Sequence, residues 1–106
     1  MSAREAKQVV RKYAKKLSEE GYSFSSVYLF GSALKSSHRK ESDIDVAVVT
    51  KRLRPQRNFE KNLLLLWKLR RSVDTRIEPH GFTPEEFNDS TSPLVHEIKK
   101  TGVKVF

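Results

Sequence analysis

The sequence predicts an α+β fold, a small sheet with helices packed against it, and three observations carry that prediction. Apolar residues recur at three-and-four spacing near the N-terminus, the signature of an amphipathic helix. Two short runs, "SSVYLF" and "DIDVAVVT", concentrate β-branched and aromatic residues in blocks of strand length. Beyond them, helix-like and strand-like segments follow one another, so that the whole chain reads αβ-turn-βα-βα-α-β. At 106 residues it is long enough for one modest core, which predicts a single domain over residues 1–106.

The elements can be justified in order. Ala6, Val9, Val10, Tyr13, Ala14 and Leu17 form one buried stripe with Arg and Lys on the other faces, and Gly21 suits the stop just beyond. Ser25 to Phe30 is apolar on both faces, as expected of a strand inside a covered sheet. Asp43 to Thr50 is the second strand, followed by a basic loop, Lys51 to Arg57, with Pro55 in it. Asn58 to Arg71 predicts a helix with a broad apolar face: Phe59, Leu63, Leu64, Leu66 and Trp67. "VDTRIEP", Val73 to Pro79, alternates in polarity and predicts a half-buried strand closed by its proline. "TPEEF" starts a helix, with Thr83 as cap, Pro84 at the first position and Glu86 three residues after the cap. A last helix runs from near Ser92-Pro93 to about Lys100, Gly102 ends it, and "VKVF" is a short terminal strand.

Composition narrows the function. With 21 Lys+Arg against 13 Asp+Glu, the net charge of +8 attracts polyanions such as nucleic acid, nucleotides or an acidic protein. The absence of cysteine excludes disulfides and thiolate metal sites. The longest apolar run, "LLLLW", is far below the ~18 residues of a membrane span, and charge interrupts any secretion signal, so a cytoplasmic protein with no membrane partner is expected.

The chemistry is concentrated in "FGSALKSSHRKESDID", Phe30 to Asp45. Strand side chains alternate, so Asp43 and Asp45 share a face, roughly 6.5–7 Å apart at Cα. Carboxylates that close raise a pKa or recruit a divalent cation, and oxygen ligands without His or Cys favour Mg²⁺ or Mn²⁺. Gly31, at a strand end, lets backbone approach a ligand because no Cβ intervenes. Ser32 offers an amide and a hydroxyl, and "ALKSS" after it can open a short helix toward phosphate oxygens. Lys35, Arg39 and Lys40 add positive charge suited to a triphosphate, although the same residues suit a solvated loop.

Gly-Ser, ten residues, then Asp-Ile-Asp between apolar strands resembles the signature of the DNA-polymerase-beta-type nucleotidyltransferase superfamily. The chain resembles in particular its minimal nucleotidyltransferase (MNT) branch, often paired with a HEPN-domain partner in toxin–antitoxin modules. The resemblance implies the nucleotidyltransferase fold, with a small mixed β-sheet. It also implies transfer of a nucleotidyl group, most often AMP from ATP, to a hydroxyl acceptor. Gly31 and Ser32 would bind the triphosphate, with Lys35 and Arg39 assisting; Asp43 and Asp45 would bind the metals. The family's third carboxylate, which shares a metal and helps deprotonate the acceptor, would be Asp74, with Glu78 as the fallback.

Three functional readings follow. The chain modifies a partner protein, as the antitoxin of a two-gene module; it acts on RNA or a small molecule; or it neutralises a partner by contact alone. His38, His80 and His96 are scattered without metal-ligand spacing and are expected to be structural. The broad leucine-rich face exceeds what one small sheet needs and leaves an apolar patch for a partner or a second copy.

Overall fold

The computed structural model describes residues 2–34, 43–54 and 58–106. Helix α1 (Ala3–Glu19) begins in a capping box, in which Ser2 accepts from the Glu5 amide and Glu5 reaches back to Ser2. It ends at Gly21, whose φ of +74° lets the Tyr22 amide turn back to the Leu17 carbonyl at 2.8 Å. Strand β1 (Ser26–Phe30) leads into a 3-10 turn, Gly31–Leu34, and strand β2 covers Ile44–Val49. Helix α2 (Phe59–Leu69), strand β3 (Ile77–Phe82), helices α3 (Pro84–Phe87) and α4 (Pro93–Thr101) and strand β4 (Val103–Lys104) complete the order.

The four strands form one mixed sheet in the order β3-β2-β1-β4. β1 is antiparallel to β2 and β4, while β2 and β3 are parallel. β1 and β2 are therefore interior strands, which is why both are apolar on both faces. One face packs Val27, Leu29, Ile44, Val46, Val48 and Ile77 against the α1 stripe and Leu66 of α2. Two tyrosines tie the helical layer together: Tyr13 donates to the Leu66 carbonyl at 2.7 Å and Tyr22 to the Asn62 carbonyl at 3.1 Å. The opposite face packs Phe30, Ala47 and Val49 against Phe87 of α3 and Val95 and Ile98 of α4. The sheet is thus covered on both sides, and polar residues on its second face need a reason to be there.

The α+β expectation holds, but the third strand lies four residues later than the alternating pattern of Val73 to Pro79 predicts. Val73 to Arg76 form a turn, and pairing begins at Ile77, beside Ile44. Nor does Pro79 close the strand; it pairs in register with Val46. The Arg76 carbonyl accepts from Ile44 and the Phe82 carbonyl from Thr50, so alternation turns the backbone of Pro79 toward the open sheet edge. A residue that faces outward from an edge strand has no ladder bond to donate, and proline is tolerated there. Ile77→Ala is therefore expected to cost about 2–5 kcal/mol in urea unfolding, as for a buried branched side chain. Thr75→Ala, in the exposed turn, is expected to stay within about 0.5 kcal/mol.

Candidate active site

Ile44 is fully buried against the α1–α2 layer, and this fixes the direction of its neighbours. Asp45 must face the other side of the sheet, and Asp43, one pleat earlier at the strand entrance, is exposed to solvent. The register then sets Phe30, Asp45 and Glu78 side by side across β1, β2 and β3. Neighbouring strands lie about 4.8 Å apart, so Asp45 and Glu78 are immediate lateral neighbours. Three carboxyl groups therefore crowd one end of a face whose other side chains are mostly apolar.

Their electrostatics follow from that crowding. Burial raises the pKa of Glu78 above the ordinary carboxyl value, and the hydrogen bond to Asp43 and the negative fields of Asp43 and Asp45 push it in the same direction. His80 opposes the rise. Glu78 thus holds its proton more tightly than an isolated glutamate, because deprotonation would leave a partly buried charge and add another negative charge to the cluster.

Gly31 meets this cluster from β1. Its φ is +82°, and a Cβ there would lie 2.4 Å from Asp45 Oδ2. The glycine is required twice, by the left-handed backbone and by the close approach of the carboxylate. Ser32 follows in the 3-10 turn and is exposed. Gly31, Ser32, Asp43 and Asp45 thus belong to one corner of the molecule.

Asp74 does not join them. It sits in the turn before β3, where its carboxylate accepts from the Arg76 amide at 2.9 Å and from Arg76 Nε at 3.0 Å and Nη2 at 2.7 Å. Those hydrogen bonds hold its pKa below the ordinary range. The residue chosen from the alternating pattern is a turn residue locked to its own arginine, and Glu78 is the acidic residue on β3 that faces Asp43 and Asp45. Lys35, Arg39, Lys40 and His38 lie outside the described residues.

His80, expected to be structural, is at the site. Its Nε2 lies 3.2 Å from Asp45 Oδ1, and its ring packs edge-on against Phe30 with centroids 5.2 Å apart. The signal was present as Glu78-Pro79-His80: two residues apart on a strand share a face, once the strand is placed at Ile77–Phe82. His96 is exposed on α4, away from any such contact. The expected apolar surplus on α2 is also present: Leu64 is 62% exposed and lines an open depression of about 510 Å³ with Glu60, Lys61, Leu65 and Lys68.

In donor type the acidic corner suits a hard divalent cation, since Asp43, Asp45 and Glu78 offer only oxygen. Among the described residues, no group of three or more His, Cys, Asp or Glu side chains is placed to hold a metal ion. That is compatible with Mg²⁺, which commonly takes one or two carboxylates and completes its octahedron with water and substrate phosphate.

The chain belongs to the polymerase beta nucleotidyltransferase family, whose model matches residues 11–106. No curated protein matches the sequence. Solved structures that share its fold include the following two. The toxin–antitoxin complex MntA–HpeT, in a form with two aspartate-to-glutamate substitutions, is 20% identical with a TM-score of 0.63, over 90% of this chain and 70% of that one. A candidate nucleotidyltransferase from Sulfolobus solfataricus is 22% identical with a TM-score of 0.56, over 98% of this chain and 86% of that one. The likeness is one of fold, and it agrees with the minimal nucleotidyltransferase resemblance read from the Gly-Ser and Asp-Ile-Asp motifs.

Among the described residues no helix is long and apolar enough to cross a membrane.

A glutamate with a raised folded-state pKa binds more protons folded than unfolded. Its contribution to stability is fully present below the unfolded value, about 4.3, and is lost as pH rises through the folded value. Glu78→Gln is accordingly expected to melt above wild type at pH 7, the gap closing below about pH 4. Gly31→Ala is expected to lose about 1–3 kcal/mol from backbone strain, with a further loss from its clash with Asp45, read by thermal melting.

Proposed function

We propose that the chain is a metal-dependent nucleotidyltransferase that moves AMP from ATP to a hydroxyl acceptor on a partner protein. The observation that carries this reading is Asp45 and Glu78 side by side on one sheet face, with Asp43 hydrogen-bonded to Glu78 and Gly31 pressed against Asp45. Family membership supports the reaction class. The MntA–HpeT neighbour is a toxin–antitoxin pair, which supports a protein partner; the minimal nucleotidyltransferase resemblance would make that partner a HEPN-type toxin and this chain its antitoxin. A reaction that draws on ATP suits a cytoplasmic setting.

Mg²⁺ or Mn²⁺ taking one or two carboxylates from the Asp43, Asp45 and Glu78 corner would supply charge neutralisation at the phosphorus and the leaving group. The remaining work falls to the chain. Gly31 and Ser32 present backbone and hydroxyl to the triphosphate at a corner where no Cβ blocks approach. Asp43 and Asp45, by holding that cation, would fix where the reacting phosphate meets the sheet. The acceptor oxygen attacks the α-phosphorus, the bond to pyrophosphate breaks, and the hydroxyl proton passes to Glu78. Glu78 is suited to that step by its place on β3 directly beside Asp45. Asp74, held by Arg76 in the turn before β3, is less suited to the role.

Labelled ATP and Mg²⁺, incubated with and without the co-encoded neighbouring protein, test the proposal. Label on that protein is the expected result. Label on RNA moves the reading to a nucleic-acid acceptor, for which the +8 charge is the supporting feature. No label, with an unaltered phenotype for Asp43→Ala and Asp45→Ala, leaves neutralisation by contact. Asp43→Asn, Asp45→Asn and Glu78→Gln are each expected to slow transfer by about 10²-fold or more, while Asp74→Asn keeps the wild-type rate.

A further inference from the structure

We infer that His80 is a positioning residue for Asp45, holding its carboxylate from one side while Gly31 confines it from the other. The inference rests on the metal-dependent reading proposed above and adds to it a residue outside the acidic set.

The geometry is specific. A carboxylate oxygen can only accept, so the 3.2 Å contact between His80 Nε2 and Asp45 Oδ1 requires the hydrogen on Nε2. His80 is thus the donor and Asp45 the acceptor of this contact. The other oxygen, Oδ2, faces Gly31, where a Cβ would stand 2.4 Å away. One oxygen is tethered and the other is confined, so rotation of the carboxylate is restricted from both ends. Such restriction matters at a ligand, because a carboxylate free to rotate samples orientations that cannot bind.

The surroundings keep the imidazole aimed. On β2 the residue directly paired with His80 is Ala47, which is fully buried and small enough for the ring to lean diagonally to Asp45. Phe30 supports the ring edge-on at 5.2 Å and an interplanar angle of 61°. The His80 side chain is still 38% exposed, and that of Asp45 25%, so the pair borders the open end of the face. A histidine serving only the α3–α4 core has no reason to stand at that edge with its ring nitrogen on an acid.

Mn²⁺ affinity, read by electron paramagnetic resonance at one fixed pH with a non-hydrolysable ATP analogue, tests this in wild type and four variants. Asp45→Asn is expected to abolish binding. His80→Phe keeps ring bulk but has no donor, and is expected to weaken binding by about 10-fold or more. His80→Gln, whose amide reaches the position of Nε2, is expected to restore most of the affinity, whereas His80→Asn, one bond shorter, is not. A purely structural role predicts that the two amides behave alike, which makes that comparison decisive even if the phenylalanine variant folds poorly. Should Asp45→Asn lose Mn²⁺ while all three His80 variants bind as wild type, the positioning role fails and the metal reading stands. Wild-type protein that ignores Mn²⁺ overturns both.

Discussion

The parallel register between β2 and β3 is the constraint on which the site depends. It places Glu78 beside Asp45 and His80 one diagonal step away, and no local feature of either strand could do so alone. Burial of Ile44 and Ile77 on the helical face enforces the register. A slip of β3 by one residue would turn Glu78 into the α1–α2 core and Ile77 to the opposite face of the sheet. Hydrophobic packing on one side of the sheet thereby aligns charges on the other.

The alignment works against stability. Three acidic side chains at one end of a small sheet repel one another, and Glu78 responds by retaining its proton more strongly than a free glutamate. A left-handed glycine packed against a carboxylate adds a further local demand. Structural needs do not explain this corner, since the sheet has ample apolar residues with which to fill it. Unfavourable local choices inside an otherwise consistent fold are what a functional site leaves behind. Asp74 makes the contrast: its carboxylate is fully partnered by Arg76, and its environment relaxes rather than strains it.

Much of this was legible in the sequence. The amphipathic stripe of α1, the two-faced apolar strands β1 and β2, the Thr83-Pro84-Glu86 cap and the Gly-Ser corner each rest on local chemistry, and local chemistry is what a sequence displays. β3 was misplaced because Val73, Thr75 and Ile77 continue a period of two into a turn, where the alternation has no partner strand. Pro79 strengthened the error: it reads as a terminator unless its backbone is known to face a free edge. From that shift followed the preference for Asp74 over Glu78 as the third acid. His80 was missed for the same reason, because Glu78 and His80 share a face only once β3 is placed. Pairing partners are long-range facts, and they separated the readable part of the site from the rest. Gly31 falls between the two cases. Close approach was foreseen, but the group that approaches it in the folded chain is the Asp45 carboxylate.

The most direct measurement is the anomalous difference density of crystals holding Mn²⁺ and a non-hydrolysable ATP analogue. The predicted result is a peak among the Asp43, Asp45 and Glu78 carboxylates, with the triphosphate lying over Gly31 and Ser32. Manganese bound elsewhere, or an acidic corner that stays empty under saturating ion and nucleotide, would contradict the assignment of these carboxylates to a metal-dependent transfer.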